Sequence, residues 1–141
     1  MPASATRPGL SPGVTGTPRP ARRGGDGASL TIRVDLGGQG ALGPGKVALL
    51  EQIRAYGSIS AAGREMGMSY RRAWLLVDSL NQSFAEPLVT TQHGGPGGGG
   101  AGLTPLGEEV VRLYRRIESE AHDAIKPHLQ ALGERLADPS P

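Results

Sequence analysis

The segment SISAAGREMGMSYRRAWLLVDSLNQ, which begins at Ser58, restricts the fold more than any other part of the chain. It contains two helix starts, and a serine stands before each of them. The side chain of Ser58 or Ser60 can accept a hydrogen bond from a free N–H group at the start of one helix, and Ser69 can do the same for the next. Gly67 lies between the two and favours a turn. Two short helices joined by such a turn form a helix-turn-helix.

The two helices of this motif are predicted at 61–66 and 70–81. In the second helix, Ala73, Val77 and Leu80 recur at positions i, i+4 and i+7. This spacing is typical of a helix that buries one face. The sequence therefore predicts that the second helix packs against a core.

One strand and one helix are predicted before this motif. Residues 30–36, LTIRVDL, alternate apolar and polar side chains, which is the pattern of a half-buried strand. A glycine-rich loop follows at 37–45. Residues 46–56 then place apolar side chains at helical spacing, and Gly57 suits the end of this helix because glycine adopts the left-handed conformation at no steric cost.

A β-hairpin is predicted after the motif. Residues 88–92, LVTTQ, are rich in β-branched side chains and predict a strand. Residues 93–102 then contain seven glycines, and Leu103 returns to apolar character. A strand, a flexible loop and a return to the core indicate a hairpin, or wing, with a glycine-rich tip.

The last predicted element is a long helix that begins at Thr104 and Pro105. Threonine is a good cap, and proline is favoured at the first helical position. Pro127 interrupts the apolar spacing and would cost about 3 kcal/mol inside a helix. We therefore expect a helix to about Lys126, followed by a kink or a second short helix. The charged side chains of this helix predict a solvated face with i, i+4 pairs: Glu108, Glu109, Arg112, Arg115, Arg116, Glu118 and Glu120.

Composition and pattern together predict one modest domain with tails. Glycine and proline account for 23 and 12 of the 141 residues, so part of the chain is not packed. Residues 1–29 are expected to be a disordered arm and 30–104 a winged helix-turn-helix. Residues 105–137 are expected to be a helical dimerisation segment, because the apolar spacing lets two copies pack together, and 138–141 a tail. The expected fold class is mostly α with a small β-hairpin or sheet (α+β).

The basic character of the chain belongs to its arm. The isoelectric point is about 9.4. Residues 1–29 contain four arginines and one aspartate, whereas residues 30–141 contain 11 basic and 12 acidic side chains. The arm is therefore either a solvated tail or a segment whose arginines contact phosphate or the minor groove. Any nucleic-acid contact by the folded part depends on local placement of charge.

Several classes of function are disfavoured. The chain has no cysteine, which excludes disulfides and thiolate metal sites. It has no long apolar run and no secretory signal, so we expect a cytoplasmic protein without membrane contact. His93, His122 and His128 do not have ligand spacing, and no set of nucleophile, base and acid stands out. The glycine loop lacks the Gly-Lys-Ser/Thr of a phosphate-binding loop. We expect no enzyme, no cofactor and no metal.

Tyr70, Arg71 and Arg72 are the most informative group in the sequence. They open the second helix of the motif, where the helix dipole is positive and cations are mildly unfavourable. In a helix-turn-helix these N-terminal residues enter the major groove of DNA. There an arginine can make two hydrogen bonds to guanine and discriminate by roughly 1–3 kcal/mol. We therefore predict that Arg71 and Arg72 contact bases or phosphates.

Further DNA contacts are predicted around this group. Ser69 and Tyr70 are phosphate candidates, and Arg64 is a weaker one. Trp74 either packs in the core against the wing or the last helix, or touches the sugar-phosphate edge. The remaining candidates are the cap serines and the glycines of the wing tip, whose N–H groups can approach a phosphate closely: Ser58, Ser60, Gly97 and Gly98.

These motifs resemble a known family. The stretches SISAAGREMGMSYRRAW and GGPGGGGAGLTPLGEEVVRLY, with LN and LV between them, are similar to the N-terminal DNA-binding domain of ModE-type molybdate-responsive regulators. They are more distantly similar to the LysR-type winged helix. The likeness covers roughly residues 30–123. It implies a winged helix-turn-helix, a homodimer built in part through the last helix, and transcriptional control of molybdate uptake or molybdoenzyme genes.

The resemblance is expected to carry over only in part. Full-length regulators of this kind continue into oligobindin-like domains that hold molybdate, and no anion-binding group is visible in residues 1–141. We therefore expect a sequence-specific DNA-binding transcriptional regulator that lacks a molybdate-binding domain. Its expected partners are double-stranded DNA, which would associate it with the nucleoid, and a second copy of the chain, with no small-molecule ligand. The alternative is a winged-helix module that binds other proteins and not DNA.

Overall fold

The computed structural model describes residues 27–95 and 98–138, which form four α-helices, four short strands and one turn of 3-10 helix at Gly37–Gln39. The arginines of the predicted arm, and all but one residue of the predicted tail, lie outside this part of the chain. The fold is mostly helical with small antiparallel sheets, which confirms the predicted α+β class. In chain order the elements are β1 (Val34–Asp35), β2 (Ala41–Leu42), α1 (Pro44–Tyr56), α2 (Ile59–Glu65), α3 (Tyr70–Ser83), β3 (Val89–Gly95), β4 (Gly98–Leu103) and α4 (Pro105–Gly133).

The strands form two antiparallel pairs. In the first pair, β1 lies against β2, with Val34 opposite Leu42. In the second, β3 lies against β4, with Val89 opposite Leu103 at the root of the hairpin. The ladder becomes irregular beyond Gln92, on the way to the glycine-rich tip. The predicted hairpin is therefore present, with its regular part next to the core.

The predicted strand at 30–36 is only partly a strand. Its alternation is confirmed, because Leu30, Ile32, Val34 and Leu36 are half-buried while the residues between them are exposed. Only Val34–Asp35 pairs with another strand, however. The preceding residues lie beside α4, where the hydroxyl of Tyr114 donates a 2.6 Å hydrogen bond to the carbonyl of Ile32. The apolar side chains Ile32, Val34 and Leu36 thus pack against the core cluster, although most of the segment has no partner strand.

The core is built around α1. Val47, Leu49, Leu50 and Ile53 are all fully buried there. The other helices and the root of the hairpin close around them with further buried side chains: Ala62 of α2 and Met66 just after it, Ala73, Val77 and Leu80 of α3, Leu88 and Val89, and Val110, Val111 and Tyr114 of α4. The predicted stripe on α3 is therefore confirmed as core.

Ion pairs join α1 to α4. Arg115 donates two hydrogen bonds to the carboxylate of Glu51, at 3.0 and 2.7 Å. Arg54 and Glu108 form a second link, at 2.6 Å. The Arg115 hydrogen bonds hold the pKa of Glu51 below its ordinary value, against the opposing effect of burial. An exposed i, i+4 pair, Arg116 with Glu120, agrees with the predicted solvated face of α4. Arg115 and Glu108 also lie opposite charged side chains of α1, which the sequence did not predict.

Helix α4 is longer than the sequence predicted. Thr104 caps it as expected and accepts a hydrogen bond from the Gly107 N–H at 2.9 Å. The helix does not end near Lys126 but continues through Pro127 to Gly133. Proline removes one helical N–H, which leaves the carbonyl four residues earlier without its donor. Pro127 and Asp123 are both exposed, so water can satisfy that carbonyl.

No helix in residues 27–95 or 98–138 combines the length and the apolar character needed to cross a membrane.

Candidate functional site

Helices α2 and α3 begin with the serine caps that the sequence predicted. Ser58 accepts a hydrogen bond from the Ala61 N–H at 2.9 Å, so Ser58 and not Ser60 is the cap of α2. Ser69 accepts one from the Arg72 N–H at 3.1 Å and caps α3. Gly67 lies between the helices with φ +72°, a left-handed conformation that favours glycine. The predicted helix, turn and helix are therefore present.

A second glycine sets how closely α2 and α3 approach. Gly63 is buried inside α2, and a Cβ atom at this position would lie 2.9 Å from the Cβ of Ala73. Any larger residue would push the two helices apart. Gly63 does not stand out in the sequence, because a glycine within a predicted helix gives no sign of what lies across from it. This contact fixes the direction in which the start of α3 projects.

The first turn of α3 is open to solvent. Tyr70, Arg71 and Arg72 are all exposed, and Tyr70 has 55% of its surface accessible. Neither guanidinium group forms an ion pair with any side chain in residues 27–95 or 98–138. Two cations therefore lie at the positive end of a helix dipole without an acidic partner among the described residues. Cations in this position do not stabilise the fold.

A groove separates α3 from the hairpin. It has a volume of about 570 Å³, and the start of α2 forms its floor. Four of the predicted site residues line it: Ser58, Ser60, Tyr70 and Trp74. Trp74 is 40% exposed and so does not belong to the core, which was one of its two predicted positions. The groove also has a hairpin wall that the sequence analysis missed: Thr91 and Gln92 of β3, with Gly99, Gly100 and Ala101 of β4.

The other predicted site residues lie outside the groove. Arg71 and Arg72 project from α3 without lining it, and Arg64 is exposed near the end of α2. Gly98 begins β4, and Gly97 lies outside the described residues. The predicted residues that the structure describes therefore divide into a groove group and an exposed group outside the groove, which contains Ser69 and the three arginines.

Hydrogen bonds hold the hairpin in place. The side-chain oxygen of Asn81, near the end of α3, accepts from the N–H groups of Leu88 and Val89 at 2.8 and 3.0 Å, and its amide donates to the Val89 carbonyl at 3.2 Å. The Ala101 N–H donates to the Gly57 carbonyl at 2.8 Å, which links β4 to the junction of α1 and α2. The hairpin is thus fixed to the same helices that present Tyr70 and the arginines.

The charge of this surface is weakly positive. Between positions 58 and 83 the chain has three arginines and two acidic side chains, Glu65 and Asp78. Asp78 lies two turns after the arginines, where the Gln82 amide donates to it at 3.1 Å. Among the described residues, no group of three or more His, Cys, Asp or Glu side chains is arranged to hold a metal ion. The cationic end of α3 is therefore the main electrostatic feature of the site.

Comparison with known proteins points to one class, transcriptional regulators and binding proteins named for molybdenum. The chain is 47% identical over 97 residues to the molybdenum-pterin-binding protein MopB of Rhodobacter capsulatus, which covers 68% of this chain and 36% of that protein. It is 38% identical over 109 residues to the molybdenum transport protein ModE of Azotobacter vinelandii, covering 77% of this chain and 38% of that protein. It is also 38% identical over 85 residues to the DNA-binding transcriptional dual regulator ModE of Escherichia coli K12, covering 58% and 32%.

These matches confirm the resemblance to ModE-type proteins that the motifs predicted. The chain spans about a third of the length of the curated relatives that it matches. Their names describe regulators, a transport protein and binding proteins, and not enzymes. No protein-family model matches the chain.

Proposed function

We propose that this chain is a winged helix-turn-helix that binds double-stranded DNA in a sequence-specific way and regulates transcription. In this proposal α3 enters the major groove, and the β3–β4 hairpin is the wing. Arg71 and Arg72 contact bases or phosphates from the first turn of α3. Helix α4 joins two copies into a homodimer, which places two α3 helices in successive major grooves about 34–36 Å apart.

The observation that carries the proposal is the pair of exposed arginines at the start of α3. Both guanidinium groups are accessible and make no ion pair with the described residues, so both are available to a ligand. Arginine forms two parallel hydrogen bonds with guanine or with a phosphate. An anionic duplex would supply the negative charge that the positive end of α3 lacks among the described residues.

The groove beside α3 supports a path for one DNA strand. Ser58 and Ser60 place hydroxyl groups on its floor, while Tyr70 and Trp74 place aromatic rings on one wall. Hydroxyl groups bind phosphate oxygens, and a ring can pack against the sugar edge. The glycines of the opposite wall permit close approach of a backbone. We assign Ser58, Ser60, Ser69, Tyr70, Trp74, Arg64 and the wing-tip glycines Gly97 and Gly98 to backbone contacts.

The relatives support a regulatory role connected with molybdenum. One of them is named a DNA-binding transcriptional dual regulator, and others are named for molybdenum transport or molybdenum-pterin binding. We propose that the genes controlled by this chain are related to molybdate. A regulator of this kind acts in the cytoplasm, on the nucleoid.

The arginine pair provides the direct test. In fluorescence-polarisation titrations with a labelled duplex selected from a randomised pool, replacing Arg71 and Arg72 by Ala is expected to lower affinity by at least about ten-fold. Arg135→Ala removes the same kind of exposed charge beyond the end of α4 and is expected to leave affinity unchanged. Equal affinities of the double variant and the wild type, with both proteins folded, would remove the main support for DNA binding.

The alternative is a winged-helix module that binds proteins. The near balance of charge in residues 30–141 favours it over a purely electrostatic DNA binder. A salt titration separates the two functions. DNA binding weakens steeply as salt rises, because each phosphate contact releases counterions. A flat salt dependence would favour the protein-binding alternative.

A further inference from the structure

An apolar side chain stands beside the arginines on the open side of α3. Leu75 has 55% of its surface exposed. With about 3.6 residues per turn, it projects on the side of α3 opposite the buried residues Ala73, Val77 and Leu80. Its neighbour Leu76 packs against the core, whereas Leu75 does not. The fold therefore does not need an apolar residue at position 75.

Leu75 also differs from the two aromatic residues on the same helix. Tyr70 and Trp74 are exposed but line the groove beside the hairpin, and Leu75 does not line it. Around Leu75 the open side of α3 is polar, with Arg71 one turn before it and Asp78 and Ser79 one turn after it. Leu75 is thus an exposed apolar side chain among polar ones on the open side of α3.

We infer that Leu75 reads thymine, by packing against the C5 methyl group that thymine exposes in the major groove. This inference rests on the proposed function. The methyl group is the apolar feature that distinguishes the major-groove edges of the base pairs in unmodified DNA, and small apolar side chains recognise it by contact. Leu75 thereby adds specificity for one base pair beside the guanine contact that Arg71 offers.

The geometry of the helix limits where this thymine lies. Leu75 follows Arg71 by four residues, which is about 6 Å along the axis of α3. Successive base pairs are about 3.4 Å apart. Leu75 and Arg71 therefore reach base pairs no more than about two steps apart, and we place the thymine within that distance of the guanine read by Arg71.

The experiment starts from a duplex selected by the wild-type protein from a randomised pool. Each thymine of that duplex is replaced in turn by uracil, which pairs identically but lacks the methyl group. Because the proposed homodimer reads two half-sites, we expect one replacement in each half-site to lower wild-type affinity by about four-fold, the effect of burying one methyl group. For Leu75→Ala, the thymine and uracil duplexes are expected to bind equally, whereas Leu75→Met should retain the difference. The wild type and Arg71→Ala are also assayed on duplexes in which each guanine is replaced in turn. The guanine whose replacement weakens the wild type but not Arg71→Ala is the base that Arg71 reads.

The remaining outcomes distinguish failure of this inference from failure of the proposed function. If no uracil replacement affects the wild type, or if Leu75→Ala retains the full thymine preference, the inference is overturned while DNA binding stands. A sensitive thymine far from the guanine read by Arg71 also overturns it. If the wild type enriches no sequence at all, the proposed function fails, and this inference fails with it.

Discussion

At the scale of single residues, two glycines of α4 have opposite surroundings. Gly107 is buried, and a Cβ atom there would lie 2.2 Å from the carbonyl oxygen of Leu88. This neighbour is backbone and cannot move without shifting the root of the hairpin. We expect Gly107→Ala to lower the free energy of unfolding by about 3 kcal/mol, as in other overpacked cores. Urea denaturation followed by circular dichroism measures this change.

Gly133 provides the matched control. A Cβ atom there would be 3.6 Å from the backbone nitrogen of Ala28, which is an ordinary contact. Alanine is also the better helix former by about 1 kcal/mol. Gly133→Ala is therefore expected to be neutral or slightly stabilising. Equal effects of the two substitutions would contradict the close approach of α4 to Leu88.

The Glu51–Arg115 pair predicts a pH dependence of stability. Because Arg115 holds the pKa of Glu51 below its ordinary value in the folded state, the ionised pair stabilises the protein above the pKa of the unfolded chain, about pH 4.3. That contribution is lost as the pH falls through the lower, folded value. We expect Glu51→Gln to destabilise by about 1 kcal/mol at neutral pH, a partly exposed pair being worth little more. The difference from the wild type should vanish in acid.

Glu120→Gln is the control for the predicted effect of Glu51→Gln. The pair of Glu120 with Arg116 has a similar length, 2.8 Å, but both side chains are about 70% exposed. Solvent screening makes such pairs nearly neutral. Thermal melts of Glu120→Gln should therefore match the wild type at every pH. If Glu120→Gln destabilised the protein as much as Glu51→Gln does, the partial burial of the Glu51–Arg115 pair between α1 and α4 would not strengthen that pair.

The residue scale also shows what a single sequence can and cannot predict. The serine caps were predictable, as Ser69 and as one of Ser58 and Ser60, because a cap depends on neighbours within four residues. Gly63, Gly107 and Asn81 were not, because their roles depend on atoms brought close by the fold. The hairpin wall of the groove was missed for the same reason.

At the scale of elements, Pro127 inside α4 predicts a local weakness. The helix continues through it, although proline in a helix interior costs about 3 kcal/mol. Pro127→Ala is expected to increase the hydrogen-exchange protection of amides 124–133. Pro105→Ala changes a proline at the first helical position, where its missing N–H costs nothing, and should leave that protection unchanged. If Pro127→Ala also has no effect, the second half of α4 is not limited by the proline.

The same proline explains why the end of α4 was predicted wrongly. Proline usually ends or kinks a helix, so we predicted a helix to about Lys126 with a kink or a second short helix beyond it, whereas α4 continues to Gly133. The segment at 30–36 shows the related limit for strands. Its alternation predicted the half-buried side chains correctly, but the pattern does not state whether a sheet or a helix covers them. The periodicity of a sequence predicts which side of an element is buried. Only the structure shows which other elements pack against that side.

At the scale of the whole molecule, α4 has an apolar side that the described chain leaves uncovered. Leu113, Ile117 and Leu132 are exposed on the helix, and Leu136 is exposed just beyond it. If this side joins two copies, as proposed, replacing Ile117 and Leu132 by Glu should convert a dimer into a monomer. Sedimentation equilibrium distinguishes them, because the wild type should have twice the 14.6 kDa mass of one chain.

The control for this prediction adds the same charge elsewhere on the helix. Ser119 and Gln130 are exposed on the other side of α4, so Ser119→Glu with Gln130→Glu should remain dimeric. Dissociation of both double variants would indicate charge repulsion and not loss of an apolar contact. A monomeric wild type would refute the dimer altogether.

The three hydrogen bonds of Asn81 have a mechanical consequence. They tie the end of α3 to the root of the hairpin, so we expect these two elements to keep their spacing when a partner binds. A groove that keeps its spacing does not adjust to a thicker or thinner partner. For a bound duplex, adjustment would fall on the nucleic acid, and sequences that bend or narrow with least effort would bind best, even at base pairs that no side chain reaches.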